Sequence, residues 1–433
     1  GMKLAMVARR VFVASMLAAM AAACGSSAEN AVTGSTANEG SEAISLVTAS
    51  SVDRAVVDPS APVLELAAGF NNAGFDLLRR QEPAGNTVLS PVSVGHALLM
   101  ARGAADEETS ANIDSALALP TGMPAHEAWN AFDQMIAAAD GTALDVVGEP
   151  SPVISIADRI WPASGVAPDQ EWIDLLASHH GSDVATIDVE QPELSRKAIN
   201  AWVSDATEAL IPELLPAGFI TGDTTLVLTD AIYFKAQWQT IFGKYGTAVA
   251  DFKRLDGTTV STTFMRDLEN QGARGTGDGW TAVNLPYLGG DFSMLILIPD
   301  EGRFEQVRAD LDHDLLTEID AAISPGPFEL LLPKWEDKAN IDLLPWLTDI
   351  GAAPGSYPAI TPGSFLSGGV HAANIAVDEM GTVAAAATGL GFDESGPPEP
   401  ELVVAADKPF FYVIRHNDTG VVLFTGQVTD PNN

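Results

Sequence analysis

The segment Val377-Asp-Glu-Met-Gly-Thr-Val-Ala-Ala-Ala-Ala-Thr388 decides the fold of this chain of 433 residues. In an extended strand, successive side chains point to opposite faces of the sheet. One face of this segment would carry only Thr382, Ala384, Ala386 and Thr388. Because none of these is bulky or charged, the segment could enter a packed sheet without forcing a large or ionised group into the core. Alanine is also the best helix former, so an alanine-rich helix is the alternative at this point.

Five further motifs occur in a fixed order along the chain. They are Asn86-Thr-Val-Leu-Ser-Pro-Val-Ser93 with Gly103-Ala104 and Thr109; Asn200-Ala-Trp-Val203 with Thr207; Ala231-Ile-Tyr-Phe-Lys235 with Trp238, Phe242, Thr247 and Phe252; Leu285-Pro-Tyr287 with Met294 and Pro299; and Leu423-Phe-Thr-Gly426 with Pro431. Together with the first segment they resemble the serpins, a family of protease inhibitors. In that family the reactive-loop hinge reads Glu, any residue, Gly, Thr, any residue, then three or four Ala. The matching residues here are Glu379, Gly381, Thr382, Ala384, Ala385, Ala386 and Ala387.

This resemblance covers residues 62 to 431 and implies an α+β chain with the serpin fold. The fold has about nine helices and three β-sheets, and its exposed reactive-centre loop would span residues 380–402. The implied function is suicide-substrate inhibition of extracellular serine endopeptidases, with cysteine endopeptidases as a second class, and not enzymatic turnover. A non-inhibitory serpin that binds or carries another molecule is the alternative. The small hinge residues argue against it, because lineages that lost inhibition tend to carry bulky or charged ones.

The composition limits the partners of the protein. The chain has 58 acidic and 22 basic residues, a formal net charge of −36. Because phosphate backbones and heparin bind basic surfaces, we expect neither nucleic acid nor heparin as a partner. We find no run of 18 apolar residues, and so expect no ordinary membrane span. A single cysteine cannot form a disulfide within one chain, so stability must come from packing.

The first residues have the pattern of an export signal. Residues 1–23 combine a positive start with an apolar stretch, and the only cysteine, Cys24, follows directly. This resembles a bacterial lipoprotein signal, in which the cysteine is lipidated; an ordinary cleaved secretion signal is the alternative. Gly1 ahead of the methionine indicates an expression scar. Both signals predict an extracytoplasmic protein, either secreted or held at a membrane only through a lipid on Cys24.

The rest of the chain divides into a tether and a folded part. Residues 24–61 are rich in small and polar side chains. This composition predicts a flexible tether that follows the lipidated Cys24. Residues 62–433 are predicted to form one serpin domain, and the protein a monomer. Within this domain, Pro91 predicts the first turn of a helix with Ser90 as its N-cap.

The resemblance assigns roles at the head of the loop. Gly381 would supply the backbone freedom that a swinging segment needs, and the residues from Thr382 to Thr388 would be the inserting stretch. The family's breach region, where insertion starts, corresponds to Trp238 and Lys334. We therefore predict an ion pair between Lys334 and Glu379, with a local closing role, because exposed pairs contribute only about 0.2 to 1 kcal/mol.

A second polar cluster is expected beneath the central sheet. Ser90, Ser93 and His371 match the family's shutter, the group that controls strand separation. Asp230 stands where a serpin usually has Asn. Since a carboxylate beside a histidine favours the imidazolium form, the sequence predicts a shutter that responds to pH.

The bond cut by a protease is placed by counting from Gly381. The usual family distance gives Ser395–Gly396, with Glu394–Ser395 and Phe392–Asp393 as alternatives because this loop is longer than usual. A small residue before the bond suits elastase-like or subtilisin-like proteases. Glutamate suits a glutamate-specific protease, and phenylalanine suits a chymotrypsin-like one.

An enzyme is the competing class of function. The sequence has no Gly-x-Ser-x-Gly, no His-Glu-x-x-His and no P-loop. The pair His179–His180 lacks the spacing of metal ligands and is predicted to lie on the surface. We therefore expect no catalytic residue, no metal and no cofactor.

Overall fold

The computed structural model describes residues 44–47, 49, 52–243, 246–270, 272–382 and 402–433. Ten predicted site residues lie outside the described residues: Cys24, Ala384, Ala385, Ala386, Ala387, Thr388, Phe392, Glu394, Ser395 and Gly396. The described part includes Gly381 and Thr382 at the head of the alanine-rich segment.

Nine α-helices lie within the described residues, in agreement with the predicted number. They are α1 (Val63–Arg79), α2 (Pro91–Arg102), α3 (Glu107–Ala116), α4 (Met123–Ala139), α5 (Gln170–Leu175), α6 (Pro192–Ala206), α7 (Phe304–Asp310), α8 (His313–Ala322) and α9 (Leu344–Asp349). A π-helical turn, Leu176–His180, continues α5. Helix α2 begins as predicted, because the Ser90 side chain accepts a hydrogen bond from the backbone N–H of Ser93.

Twenty-one strands alternate with these helices in the described residues. They are β1 (Ile44–Val47), β2 (Thr87–Leu89), β3 (Ala143–Leu144), β4 (Pro150–Ser151), β5 (Val153–Ile156), β6 (Arg159–Pro162), β7 (Val184–Ile187), β8 (Leu226–Gln237), β9 (Ala248–Lys253), β10 (Thr259–Asn270), β11 (Ala273–Gly277), β12 (Trp280–Pro286), β13 (Phe292–Pro299), β14 (Ser324–Pro325), β15 (Phe328–Pro333), β16 (Trp335–Asp342), β17 (Gly369–Val377), β18 (Gly381–Thr382), β19 (Val403–Ala405), β20 (Phe410–His416) and β21 (Val422–Val428).

The strands form three large sheets and two small ribbons. One sheet has seven strands in the order β14-β11-β12-β13-β20-β21-β2, and another has four in the order β19-β15-β10-β9. The central sheet has six, in the order β16-β17-β18-β8-β5, with β6 also paired to β8. The pairs β1–β7 and β3–β4 are the ribbons. The predicted α+β class and three-sheet architecture are confirmed.

The facing edges of β8 and β17, called the seam from here on, lie at the middle of the central sheet. In its lower part the two strands are parallel neighbours, and His371 is the register partner of Asp230. In its upper part the two-residue strand β18 lies between them, antiparallel to both. Helix α2 packs beneath the sheet, against β6 and β8. In the lower part of the seam β8 and β17 therefore pair directly with each other, and in the upper part β18 fills the space between them.

The predicted tether is wrong in its second half. Strand β1 pairs antiparallel with β7, from Ile44 opposite Ile187 to Val47 opposite Val184. Further on, the backbone N–H of Ala55 donates to the carbonyl of Ser178 at 2.8 Å. The stretch has no helical or alternating apolar pattern, so its composition indicated a linker. Its order comes from contacts with distant parts of the chain, which composition does not encode.

Arg54 anchors this N-terminal stretch. Its guanidinium donates to Asn130 Oδ1 at 2.8 Å, to Asp133 Oδ2 at 2.8 Å and to the carbonyl of His179 at 3.0 Å. The side chains of Arg54 and Asp133 are only 28% and 24% exposed, so solvent screens this ion pair less than a surface pair.

We predict that Arg54→Ala lowers the free energy of unfolding in urea by about 1 to 2 kcal/mol, because three charge-assisted hydrogen bonds are lost. Lys338→Ala is the control, since its ion pair with Glu336 is exposed on both sides. That variant should lose less than about 0.5 kcal/mol. Equal losses in the two variants would contradict the anchoring role of Arg54.

Candidate functional site

Gly381 lies where the chain turns back into the central sheet. A Cβ at this position would lie 2.0 Å from the carbonyl oxygen of Ala236 and 2.8 Å from the Cα of Gln237, so no side chain fits. The preceding turn is held by Asp378, whose Oδ1 accepts from the N–H groups of Met380 at 2.8 Å and Gly381 at 3.3 Å. The glycine is thus required by the close approach of β8.

The predicted ion pair is present beside this turn. Lys334 Nζ lies 2.5 Å from Glu379 Oε2, and the Thr247 hydroxyl donates to Glu379 Oε1 at 2.9 Å. Burial acts to raise the pKa of Glu379, but the hydrogen bonds from Lys334 and Thr247 outweigh it and hold the pKa below its usual value. The carboxylate is therefore charged at neutral pH. It fixes the turn to Lys334, between β15 and β16, and to Thr247, directly before β9.

Trp238 stands at the upper end of the seam, as predicted. Its indole Nε1 donates to the carbonyl of Asp378 at 2.9 Å, and its backbone N–H donates to the carbonyl of Met380 at 2.9 Å. Its ring stacks on Tyr287, with 4.6 Å between ring centroids. Trp238 thus ties β8 to the turn that leads into the alanine-rich segment.

Tyr287 is a site residue whose role was not predicted from the sequence. Its hydroxyl lies 2.6 Å from the hydroxyl of Thr382, and both groups are buried. Burial raises the pKa of Tyr287 far above its usual value, so the phenol is neutral. The signal was available in the motif Leu285-Pro-Tyr287, but only the fold brings it under the hinge.

The predicted shutter residues come together under the lower part of the seam. His371 Nδ1 lies 2.8 Å from Asp230 Oδ1, so the contact crosses from β17 to β8. The backbone N–H of Ser90 donates to His371 Nε2 at 2.9 Å. Asp230, His371, Ser90 and Ser93 are all fully buried.

The expected imidazolium at His371 is wrong. A backbone N–H can only donate, so Nε2 must accept and the ring proton must sit on Nδ1, where it donates to Asp230. Protonating Nε2 would set two N–H groups against each other. With these two hydrogen bonds the histidine is a neutral bridge between the two strands and the start of α2.

The prediction for His180 is also wrong. His180 is buried, with His126 Nδ1 at 2.8 Å from its Nε2 and His96 Nε2 at 3.1 Å from its Nδ1, whereas His179 is partly exposed. The ring of His96 in turn stacks on Trp129. A pair of adjacent histidines has no local pattern that reveals burial, because α2, α4 and the π-helical turn meet only in the tertiary structure.

The described ranges contain neither a metal-binding cluster nor a membrane-spanning helix. No group of three or more His, Cys, Asp or Glu side chains there is arranged to hold a metal ion. Among the helices of the same ranges, none is both long enough and apolar enough to span a bilayer.

Comparison with known proteins identifies the family. The family model "Serpin (serine protease inhibitor)" matches residues 68–431. A leukocyte elastase inhibitor of Sus scrofa is 32% identical over 394 residues, which cover 85% of this chain and all of that protein. Serpin-Z7 of Hordeum vulgare is 33% identical over 377 residues, covering 81% of this chain and 91% of that protein. The chain belongs to the serpin family, whose members are mostly protease inhibitors and not enzymes.

Solved structures agree with this fold. The thermophilic serpin tengpin in its native state matches with a TM-score of 0.76 at 20% identity, over 89% of this chain and 97% of that one. A thyroxine-binding globulin in complex with thyroxine matches with a TM-score of 0.73 at 24% identity, over 85% of this chain and 99% of that one. At these identities the likeness concerns the fold alone.

We predict that Tyr287 and Thr382 are energetically coupled through their buried hydrogen bond. Tyr287→Phe and Thr382→Val each leave one buried hydroxyl without its partner, whereas the double variant removes both. The double variant should lose about 1 kcal/mol less free energy of unfolding than the sum of the single losses. Urea unfolding of the four proteins measures this coupling.

The control cycle combines Thr382→Val with Tyr357→Phe, because the Tyr357 hydroxyl donates to the carbonyl of Ala352 and not to the hinge. In this cycle the loss of free energy of unfolding in the double variant should equal the sum of the two single losses. Additive losses in the Tyr287 cycle as well would show that the hydroxyl pair does not hold the hinge.

Proposed function

We propose that the protein is a suicide-substrate inhibitor of extracellular serine endopeptidases, acting by cleavage of its reactive loop and insertion of that loop into the central sheet. The observation that carries this proposal is strand β18. At the top of the seam Thr382 already pairs with both β8 and β17, and Gly381 pairs with β8. The residues that follow are small enough to continue the strand downward between the same two neighbours.

The energy for inhibition would come from completing that strand. About ten inserted residues gain on the order of ten backbone hydrogen bonds at ~1 kcal/mol net each. This is comparable to the whole stability of an ordinary domain, roughly 5 to 15 kcal/mol. An uncut loop cannot follow the strand down, because its far end is tied to β19. The intact protein would therefore be held kinetically above its most stable state.

Cleavage would release this constraint. The protease serine attacks the carbonyl carbon of the reactive bond, forms an ester with it and expels the new amino terminus as the leaving group. Insertion of the freed strand would carry the attached protease away before water hydrolyses the ester. Insertion also has to separate His371 from Asp230, since their contact crosses the seam.

The target class rests on two supports. Ser395 before the reactive bond suits elastase-like and subtilisin-like proteases, and relatives in Sus scrofa and Bos taurus carry the name leukocyte elastase inhibitor. A binding or carrier role is the second candidate, because the structure of a thyroxine-binding globulin has the same fold. The hinge disfavours this role, since Thr382 and the alanines after it are all small.

We predict a covalent, SDS-resistant complex when the protein is mixed with an elastase, subtilisin, chymotrypsin or a glutamate-specific protease. Mass spectrometry of the released C-terminal fragment then identifies the reactive bond. Thr382→Arg should abolish the complex and yield only the cleaved chain, because a charged side chain cannot enter the buried site beside Tyr287. Thr382→Ser keeps the hydroxyl and should retain the complex.

A second measurement distinguishes an inhibitor from a simple substrate. The chain nicked in its loop should melt at a higher temperature than the intact chain, because insertion adds a strand to the central sheet. Cleavage by all four proteases with no covalent band and no rise in melting temperature would reject the proposed function.

We also propose that the protein acts outside the cytoplasm, as a lipoprotein anchored through Cys24. The support is the sequence of residues 1–24 alone. In a bacterial host, the full chain should appear in the membrane fraction, and Cys24→Ser should move it to a soluble fraction. Identical fractionation of the two chains would contradict lipidation.

A further inference from the structure

Two buried carboxylates face each other beneath the central sheet. Strands β5 and β6 pair with β8 in one continuous antiparallel register, with Ile156 opposite Ile232 and Arg159 opposite Thr229. This register puts Asp158 directly opposite Asp230, and their side chains are fully buried. Cβ atoms of directly opposite residues lie about 4.5 to 5.5 Å apart, and like charges at such positions are destabilising.

Each carboxylate uses one oxygen in a hydrogen bond and leaves the other without a partner. Asp158 Oδ2 lies 2.8 Å from His96 Nδ1, and Asp230 Oδ1 lies 2.8 Å from His371 Nδ1. Asp158 Oδ1, Asp230 Oδ2 and the Ser93 hydroxyl make no hydrogen bond of good geometry. The Ser93 hydroxyl lies close to both carboxylates, and the backbone N–H of Ala231 lies close to that of Asp158. Buried polar atoms are normally satisfied, so this group of three oxygens requires an explanation.

The number of protons available to these three oxygens explains why they lack partners. The hydroxyl of Ser93 brings a single proton, which can serve only one of the two carboxylate oxygens. If both carboxylates were ionised, two like charges would face each other in a buried site where the Ser93 hydroxyl is the one donor close to both of them. One additional proton on the pair turns an acceptor into a donor and removes one charge.

The histidine chain cannot relieve the charge by becoming protonated. Arg102 Nη1 is only a donor and lies 3.5 Å from His126 Nε2, a long contact that makes this nitrogen the acceptor. His126 Nδ1–H then donates to His180, His180 Nδ1–H donates to His96, and His96 Nδ1–H donates to Asp158. Each ring is neutral and passes its N–H toward the carboxylates. His371 is fixed as neutral in the same way by Ser90.

The other charged groups near this network lie at its outer end or on the opposite face of the sheet. Arg159 stacks on Trp202 on the far side from α2. The groups at the outer end are Arg54, Arg102, Asp114, Glu127, Asp133 and His179. Within the described residues no Lys or Arg side chain forms an ion pair with Asp158 or Asp230, whose partners are the neutral histidines His96 and His371.

We propose that Asp158 and Asp230 share one proton while the seam is closed, and that this proton stabilises the closed sheet. Separation of β8 from β17 would break the His371–Asp230 bond and admit water, so the pair would ionise and release the proton. Acid would then favour the closed seam and higher pH would favour strand insertion. The control of insertion rests on the proposed function, whereas the proton site itself does not.

The pKa values agree with this geometry. Burial, and then the charge of Asp230, raise the pKa of Asp158 well above its usual value, and burial raises the pKa of Asp230 despite its hydrogen bond with His371, which acts to lower that pKa. The unfolded-state pKa of an aspartate is about 3.9. The contribution of the pair to stability is therefore complete below about pH 4 and is lost as pH rises through the raised folded-state pKa.

The histidines act in the opposite direction. Burial lowers the pKa of His96 and His180 well below the usual value, and lowers that of His126 to about 3. Their contribution to stability is present above about pH 6.5, the unfolded-state pKa, and is lost as pH falls below it. Because the variants used below keep all three histidines, this effect cancels in a difference between variant and parent.

The test compares Asp158→Asn and Asp230→Asn with the parent protein. In either variant the amide oxygen can accept from the histidine, and the NH₂ group can donate to the remaining carboxylate at every pH. The melting temperature of each variant minus that of the parent should be close to zero at pH 5 and positive at pH 8.5. Asp223→Asn is the matched control, since Asp223 is exposed, and its difference should not change with pH.

Infrared spectroscopy of the same proteins detects the proton directly. Burial raises the pKa of Asp337 to about 6, so the test uses the spectrum of the parent minus that of each variant. Both difference spectra should show the carbonyl stretch of a protonated carboxylic acid near neutral pH. Difference spectra without this band, or melting differences that do not vary with pH, would overturn the proposal. If the band is present but no protease forms a covalent complex, the proton site stands and the proposed function falls.

Discussion

The structure depends on the small number of contacts that join β8 to β17 along the seam. Over their lower part β8 and β17 share main-chain pairing, and a single side-chain bond, from His371 to Asp230, crosses between them. Everything above that level is closed by the two residues of β18. The sheet can therefore accept one more central strand between β8 and β17, provided that its side chains are small. The side chains of the alanine-rich segment are small, and this segment follows directly after β18.

The head of the segment is fixed by several kinds of contact at once. Lys334 and Glu379 supply charge, Trp238 supplies a stacked ring and two backbone bonds, and Tyr287 supplies a buried hydroxyl. These contacts come from different strands, so the start of the segment is positioned by the packed core and not by its own sequence. Gly381 is the exception, because β8 leaves no room for a side chain there.

Sequence reasoning succeeded where a local motif carries the information. The cap of α2 by Ser90 follows from a short pattern, whereas the class of fold and the contact of Lys334 with Glu379 follow from motifs that resemble those of the serpins. It failed where distant elements meet. Asp158 gained its significance only from strand register, His180 only from the packing of α2 and α4, and Ile44 to Val47 only from pairing with β7. The reactive bond lies outside the described residues, so its position is still a prediction.

The register of β18 has a consequence for the bottom of the seam. Thr382 is paired with Ala236 on one side and Val377 on the other. If that register continued residue by residue, Thr388 would arrive between Asp230 and His371, on the face that both side chains use. Its hydroxyl can both donate and accept. Insertion breaks the hydrogen bond between His371 and Asp230. The Thr388 hydroxyl of the inserted strand could then form hydrogen bonds with both side chains in its place.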